Sequence, residues 1–370
     1  MVFDEFIKGA DLSSLDEVEK CGGKFYDDGN AGDAMEILHR HGMNLVRLRI
    51  WNDPKDEDGN TYGAGSNDIE MTISLAKRAV SLGMKWLLDF HYSDFWADPG
   101  KQFLPKAWRG LNADELCGAV YDFTKQTLER LGAEGIMPDI VAVGNEITHG
   151  LLWPLGEAPN FENISRFISA GIHAVREVAP MSKVMLHLDM GGKNDIYREW
   201  FDNYFAAGGE QFDVIGMSYY PFWHGTMSEL KENMFDISKR YDKDLIVCET
   251  SMGFSLDDYS EYEGLAKGTI GSGIVNDELA KIVDYPLTPD GQRDFICDLI
   301  GTIKSVPGSR GRGFIWWEPA WIPVKNSGWT SPAGLKYVGE DGICANLWAN
   351  QALFDFDGNV LPAMLEIEKK

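Results

Sequence analysis

Short apolar runs alternate with stretches of helical period along the chain. The runs are Phe6–Asp11, Asn44–Trp51, Lys85–His91, Asp139–Glu146, Lys183–Asp189, Phe212–Tyr220, Asp244–Glu249 and Gly311–Trp317. In Asp139-Ile-Val-Ala-Val-Gly-Asn-Glu146 the apolar core is mostly β-branched and ends at a glycine. Such a run reads as a strand covered on both faces, as in a parallel sheet. Between the runs lie amphipathic segments. Asp33–Gly42 places Ala34, Ile37, Leu38 and His41 on one face, with Gly42 as the stop. Asn67-Asp-Ile-Glu70 reads as an N-cap with a glutamate three residues on, leading a helix with Ile69, Ile73, Ala76 and Val80 at helical spacing that ends at Gly83. Further helices are expected within Leu111–Gly135, Phe161–Val178, Asp195–Ala207, Met227–Tyr241 and Pro289–Ser305.

Eight strands alternating with helices predict a (β/α)8 barrel. The rival α/β fold, a doubly wound sheet, needs a glycine-rich phosphate turn after strand 1, and Gly9-Ala-Asp-Leu-Ser13 is not one. The 370 residues suit one barrel with elongated loops after strands 7 and 8. With no Pro/Ser-rich linker or break in composition, residues 1–370 read as a single catalytic domain. The 34 basic and 58 acidic residues leave a net charge of −24, which disfavours nucleic acid and anionic membranes as partners. Five cysteines without a CxxC pair argue against both a disulfide framework and a zinc ribbon. Cys117 and Cys248 are expected to be small core residues. The N-terminus carries no basic segment followed by an apolar one. That is compatible with an intracellular protein and with an exported one whose signal has been removed.

The strand ends carry the chemistry. Strands 4 and 7 each end in a glutamate, Glu146 and Glu249, and lie nearly opposite in an eight-stranded barrel. The other ends hold Arg47, Arg49, His91, Asn145, His187, Asp189, Tyr219, Tyr220, Trp316, Trp317 and Glu318. A rim of carboxylates and aromatic rings suits a sugar, whose apolar faces stack on rings. Two inward glutamates can then flank one glycosidic bond, one protonated and one ionised. Trp316 is expected behind the barrel wall, and Arg49 in a structural ion pair. Alternation along strand 6 leaves the choice between Tyr219 and Tyr220 open.

The motifs Gly144-Asn-Glu146 and Val247-Cys-Glu-Thr250 resemble the acid/base and nucleophile motifs of clan A glycoside hydrolases. Several longer runs narrow this: Val46-Arg-Leu-Arg-Ile-Trp-Asn-Asp-Pro54, Asp89-Phe-His-Tyr-Ser-Asp-Phe-Trp-Ala-Asp-Pro99, Ser218-Tyr-Tyr-Pro-Phe-Trp-His224 and Trp317-Glu-Pro-Ala-Trp321. With them, the chain resembles glycoside hydrolase family 53, the arabinogalactan endo-β-1,4-galactanases. That resemblance implies Glu146 as acid/base, Glu249 as nucleophile, and retention through a covalent galactosyl-enzyme, with carboxyls about 5–5.5 Å apart. It implies that Asn145 binds a sugar 2-hydroxyl, and that Arg47 and one of the two tyrosines hold Glu249 ionised. It assigns His91, Asp189, His224 and Trp317 to the subsites, and Trp96 to a stacking platform. The implied partner is a β-1,4-linked galactan or galacto-oligosaccharide, bound by a monomer without a cofactor.

Some members of the family hold calcium in the loop after strand 7. Here Asp257-Asp-Tyr-Ser-Glu-Tyr-Glu263 lacks the expected ligand order, so a solvated acidic loop is expected in place of a metal site. The loop after strand 8 carries Trp321, Trp329 and Trp348, rings suited to extending a cleft for a polymer. Three rivals remain at this level. One is another clan A endo-glycosidase, a mannanase or xylanase. Another is a non-catalytic glycan-binding barrel. The third is a metal-dependent barrel using His91, His187 and His224.

Overall fold

The computed structural model describes residues 5–369. Eight parallel strands close into a barrel: β1 (Ile7–Asp11), β2 (Leu45–Ile50), β3 (Lys85–Phe90), β4 (Ile140–Val143), β5 (Lys183–Leu188), β6 (Val214–Ser218), β7 (Asp244–Thr250) and β8 (Gly311–Trp316). Each pairs with its sequence neighbours, and β8 closes on β1 through Ile7↔Gly313 and Ala10↔Trp316. Helices follow every strand, among them Ile69–Ser81, Ala113–Ala133, Phe161–Val178, Asn194–Ala206, Met227–Tyr241 and Pro289–Lys304. The expected (β/α)8 barrel is therefore the observed one. Strands 4 and 6 are shorter than their apolar runs. Gly144 at φ 91° ends β4 before Asn145 and Glu146, so both residues sit on the turn rather than in the ladder.

Two layers of side chains fill the barrel. The lower layer is apolar: Leu45, Leu87, Ile140, Ala142, Met185, Val214, Ile246, Cys248 and Ile315 are buried together. Side chains alternate along a strand, so the inward residues two further on form the upper layer. These are Asp11, Arg47, Asp89, His187 and Ser218, all buried. Gly216 lies in the lower layer because a Cβ there would meet Cys248 Sγ and Met185 Sδ, each at 2.8 Å. Cys248 thus fills the barrel as expected, while Cys117 is half-buried on a helix; all five cysteines are free. Trp316 is fully buried behind the wall and donates through Nε1 to Gln351 O at 2.9 Å.

Some local details differ from the sequence reading. Asp68, not Asn67, caps Ile69–Ser81, accepting from Met71 N. The buried face of that helix runs through Met71, Leu75, Ala76 and Ala79 and leaves Val80 exposed. A short hairpin, Phe25–Asp27 with Asn30–Gly32, and a helix, Leu15–Lys20, sit in the first connection. No described helix is long and apolar enough to cross a membrane. The two long connections expected after strands 7 and 8 are present as residues 251–288 and 317–361, containing the short helices Asp277–Ala280 and Pro332–Val338.

Candidate active site

The C-terminal ends of the strands open into a cleft of about 480 Å³. Glu146 and Glu249 both line it, with Arg47, Arg49, His91, Trp96, Asn145, Tyr220, His224 and Trp317. Their route there differs. A strand whose Ile246 and Cys248 already point inward would send Glu249 outward. Instead the β6–β7 register shifts, pairing Met217 with Val247 but Ser218 with Glu249. This bulge turns two consecutive residues to the barrel interior. Glu146 enters by another device, a left-handed backbone at φ 47°, ψ 51°. A non-glycine residue held there stores strain, as functional sites often do.

Arg47 is the centre of the upper layer. Its Nη1 donates to Asp11 Oδ2 at 2.9 Å, and its Nη2 reaches Asp89 Oδ2 at 2.8 Å, Asn145 Oδ1 at 2.8 Å and Glu249 Oε1 at 2.7 Å. Burial works against the charge of this guanidinium, but Asp89, Glu249 and Asp11 outweigh it and push its pKa well up. Asp89 is held well below the usual carboxylate range: Arg47, then His91, overcome the effect of its burial. The other oxygen of Glu249 accepts from Tyr220 Oη at 3.2 Å.

The two glutamates therefore have opposite surroundings. Burial pushes Glu249 up to about 7 while Arg47 pulls it down. Glu146 is pushed well up, by burial first and then by the charges of Glu249 and Asp189, and among the described residues no cation pairs with it. Buried carboxylates that act on one another titrate as a pair, and the guanidinium on Glu249 favours Glu146 as the member that keeps the shared proton. Its Oε1 lies 2.6 Å from Ser218 Oγ, which lies 2.8 Å from His187 Nε2.

A second ion pair braces the wall. Arg49 Nη1 binds Glu318 Oε1 at 2.5 Å, and the guanidinium lies 4.3 Å from the centre of the Trp96 ring. Arg49 is thus the expected structural pair, and it also fixes an indole that faces the cleft. Trp96 donates to Trp329 O at 2.9 Å, and its ring centre is 6.0 Å from that of Trp317. Trp317 in turn meets Trp348 at 4.8 Å. Trp321, Trp329 and Trp348 line the cleft, as expected of the loop after strand 8, and Trp223 joins them.

Two expected contacts lie elsewhere. Tyr219 faces away from the cleft: its ring stacks on Phe295 at 6.4 Å and its hydroxyl donates to Gly225 O. Tyr220 follows Ser218 by two residues and so shares its inward face; Tyr219 does not. Asp189 is buried beside Thr148 Oγ1 and is not among the cleft-lining residues, although its charge acts on Glu146. Nor does it buffer His187, whose ring nitrogens face Asn145 and Ser218. Sequence reasoning missed Asp11, Asp89, Asp98 and Ser218. Counting back two residues from His91 finds Asp89, and two from Tyr220 finds Ser218.

Burial lowers the pKa of His91, which favours its neutral form. Its Nδ1 accepts from Trp51 Nε1 and Ala97 N. Burial likewise pushes His224 down to about 4. Among the described residues no group of three His, Cys, Asp or Glu side chains is arranged to hold a metal. In the loop after β7, Asp258 spends its carboxylate on Ser260 N and Gly268 N instead.

Residues 7–367 match the family model Glycosyl hydrolase family 53. The endo-beta-1,4-galactanase of Bacillus subtilis is 37% identical over 97% of this chain and 85% of its own length. The arabinogalactan endo-beta-1,4-galactanase of Thermothelomyces thermophilus is 34% identical over 87% of this chain and 91% of that protein. Among solved structures, the Ignisphaera aggregans GH53 catalytic domain superposes with a TM-score of 0.88 at 38% identity, covering 99% of this chain and 96% of that one.

Proposed function

The chain belongs to glycosyl hydrolase family 53, and from that premise we propose that it is an endo-β-1,4-galactanase acting on galactan side chains of pectin, with residues 1–370 as one catalytic domain. The observation that carries the mechanism is the unequal setting of the two glutamates. Glu249 holds a guanidinium and a phenol, so it is the ionised nucleophile. Glu146 stands among carboxylates without a cation, so it is the acid. Glu249 attacks the anomeric carbon while Glu146 gives its proton to the leaving oxygen. A galactosyl-enzyme ester forms and the C–O bond to the leaving sugar breaks. Glu146, now ionised, takes a proton from water, which attacks the ester from the face the leaving group vacated. Two inversions give net retention.

Asn145 is fixed by Arg47 and Ala97 O, at 2.8 Å each. It is placed to meet the 2-hydroxyl of the sugar under attack. His91, His224, Trp96 and Trp317 bind the flanking sugars. The test is reducing-sugar release from linear β-1,4-galactan, mannan and xylan, with wild type beside Glu249→Ala and azide. Galactan should be cut, the variant should be inactive, and azide should restore turnover as a glycosyl azide of inverted anomeric configuration. Activity surviving in Glu249→Ala would refute the assignment of the nucleophile. Cleavage confined to mannan or xylan would refute the substrate.

A further inference from the structure

One chain of contacts joins the two glutamates: Glu249 Oε1, Arg47 Nη2, Asn145 Oδ1, His187 Nδ1, His187 Nε2, Ser218 Oγ, Glu146 Oε1. Its polarity can be read from one end. A guanidinium only donates, so Asn145 presents its oxygen to Arg47, and its Nδ2 donates to Ala97 O. That same oxygen lies 2.8 Å from His187 Nδ1. A bare nitrogen there would set lone pair against lone pair, so Nδ1 carries the hydrogen. Glu146 N–H also approaches Nδ1, but only to 3.4 Å. Burial and then Arg47 keep His187 neutral, which leaves Nε2 as an acceptor. The Ser218 hydroxyl has one hydrogen, and it satisfies Nε2. Its oxygen is then free to accept from a protonated Glu146.

We propose that Ser218 and His187 are positioning residues for Glu146, forming a hydrogen-bond chain that is complete only while Glu146 carries its proton. The inference rests on the reading of Glu146 as the acid/base. When the proton leaves for the glycosidic oxygen, the Ser218 hydroxyl turns to donate to the new carboxylate, and His187 Nε2 loses its donor. When water returns a proton to Glu146, the hydroxyl turns back. No proton is gained or lost by Ser218 or His187. The chain thereby favours reprotonation, the event that activates water in the second step.

The charged groups facing Glu146 are Glu249 on β7, Asp189 after β5 and Asp98 after β3. The charged groups facing His187 are Arg47 and Asp89, and the titratable rings of His91 and His224 also face it. None of these supplies a hydrogen to Nε2, and none of the carboxylates accepts from Glu146.

The test is the pH profile of kcat/KM on β-1,4-galactan for Ser218→Ala and Ser218→Thr. The descending limb reports the acid. Ser218→Ala should move it down by about one pH unit, the size of one hydrogen bond, and Ser218→Thr should restore it. A hydroxyl that merely donates to the carboxylate predicts the opposite, a limb moved up. An upward or unmoved limb overturns the inference. Independently of any variant, 15N NMR of histidine-labelled wild type should find His187 neutral and protonated at Nδ1; protonation at Nε2 overturns it. Glu146→Ala separates the two readings. If that variant still cuts galactan at the wild-type rate, the acid assignment falls. If it is inactive and Ser218→Ala leaves the limb in place, only the present inference falls.

Discussion

Replacing Tyr220 with phenylalanine should move the acidic limb of activity and little else. The Tyr220 ring is buried against Trp223, His224 and Trp348, with centroids 5.7, 5.5 and 5.5 Å away, and phenylalanine fills the same space. What is lost is one hydroxyl donating to Glu249 Oε2 at 3.2 Å. A hydrogen bond to a charged group contributes about 1.5–3 kcal/mol. This one is longer than the usual O–H···O range, so the lower end applies, about 1.5 kcal/mol, or about one pH unit. The donor favours the ionised carboxylate, so its removal raises the pKa of Glu249 and shifts the ascending limb of kcat/KM upward. Arg47, still 2.7 Å from Oε1, keeps Glu249 ionised above that limb. On the acidic side kcat/KM should therefore fall about tenfold, with a smaller change on the plateau. Tyr219→Phe is the control, because its hydroxyl serves Gly225 O; its profile should match wild type. An unmoved or lowered limb in Tyr220→Phe, or an equal shift in Tyr219→Phe, would refute the reasoning.

Two further outcomes are expected. Trp317→Ala removes a ring that packs on Trp96 and Trp348 and faces the cleft; KM for galactan should rise about tenfold with kcat less affected, and a fall in kcat alone would count against a binding role. Glu263, buried after β7 with Oε1 unpartnered, is raised from the ordinary 4.5 to about 8 by burial. Between those values the folded state holds a proton that the unfolded state has released, so stability falls as pH rises, by at most about 1.4 kcal/mol per unit. Thermal midpoints of Glu263→Gln should decline less than wild type from pH 5 to 8, and parallel curves would refute the account.

The pairing of Arg47 with Glu249 is legible in the sequence, because motif resemblance carries roles along with residues. Asn145 and Glu146 were placed for the same reason, at the glycine that ends an apolar run. Asp11 and Asp89 were not, although Asp89 opens one of the motifs that carry the resemblance. A buried aspartate among apolar neighbours does not declare its partner, and here the partner is an arginine on another strand. Tyr219 and Tyr220 are adjacent and chemically identical. Only the inward direction of Ser218 and Gly216 distinguishes them, and that depends on which face of β6 meets the barrel axis.

The order of strands and helices, the closed barrel they imply and the two glutamates at strand ends were determined by sequence alone. Hydrophobic period is local, and a parallel strand buried on both faces leaves a trace in its own residues. The bulge that turns Glu249 inward, the left-handed backbone of Glu146 and the chain from Arg47 to Ser218 were decided only by the tertiary structure. Each depends on register between strands and on which of several donors reaches a given oxygen. Those are distances between residues far apart in the chain, such as the 2.7 Å between Arg47 and Glu249, and no periodicity encodes them.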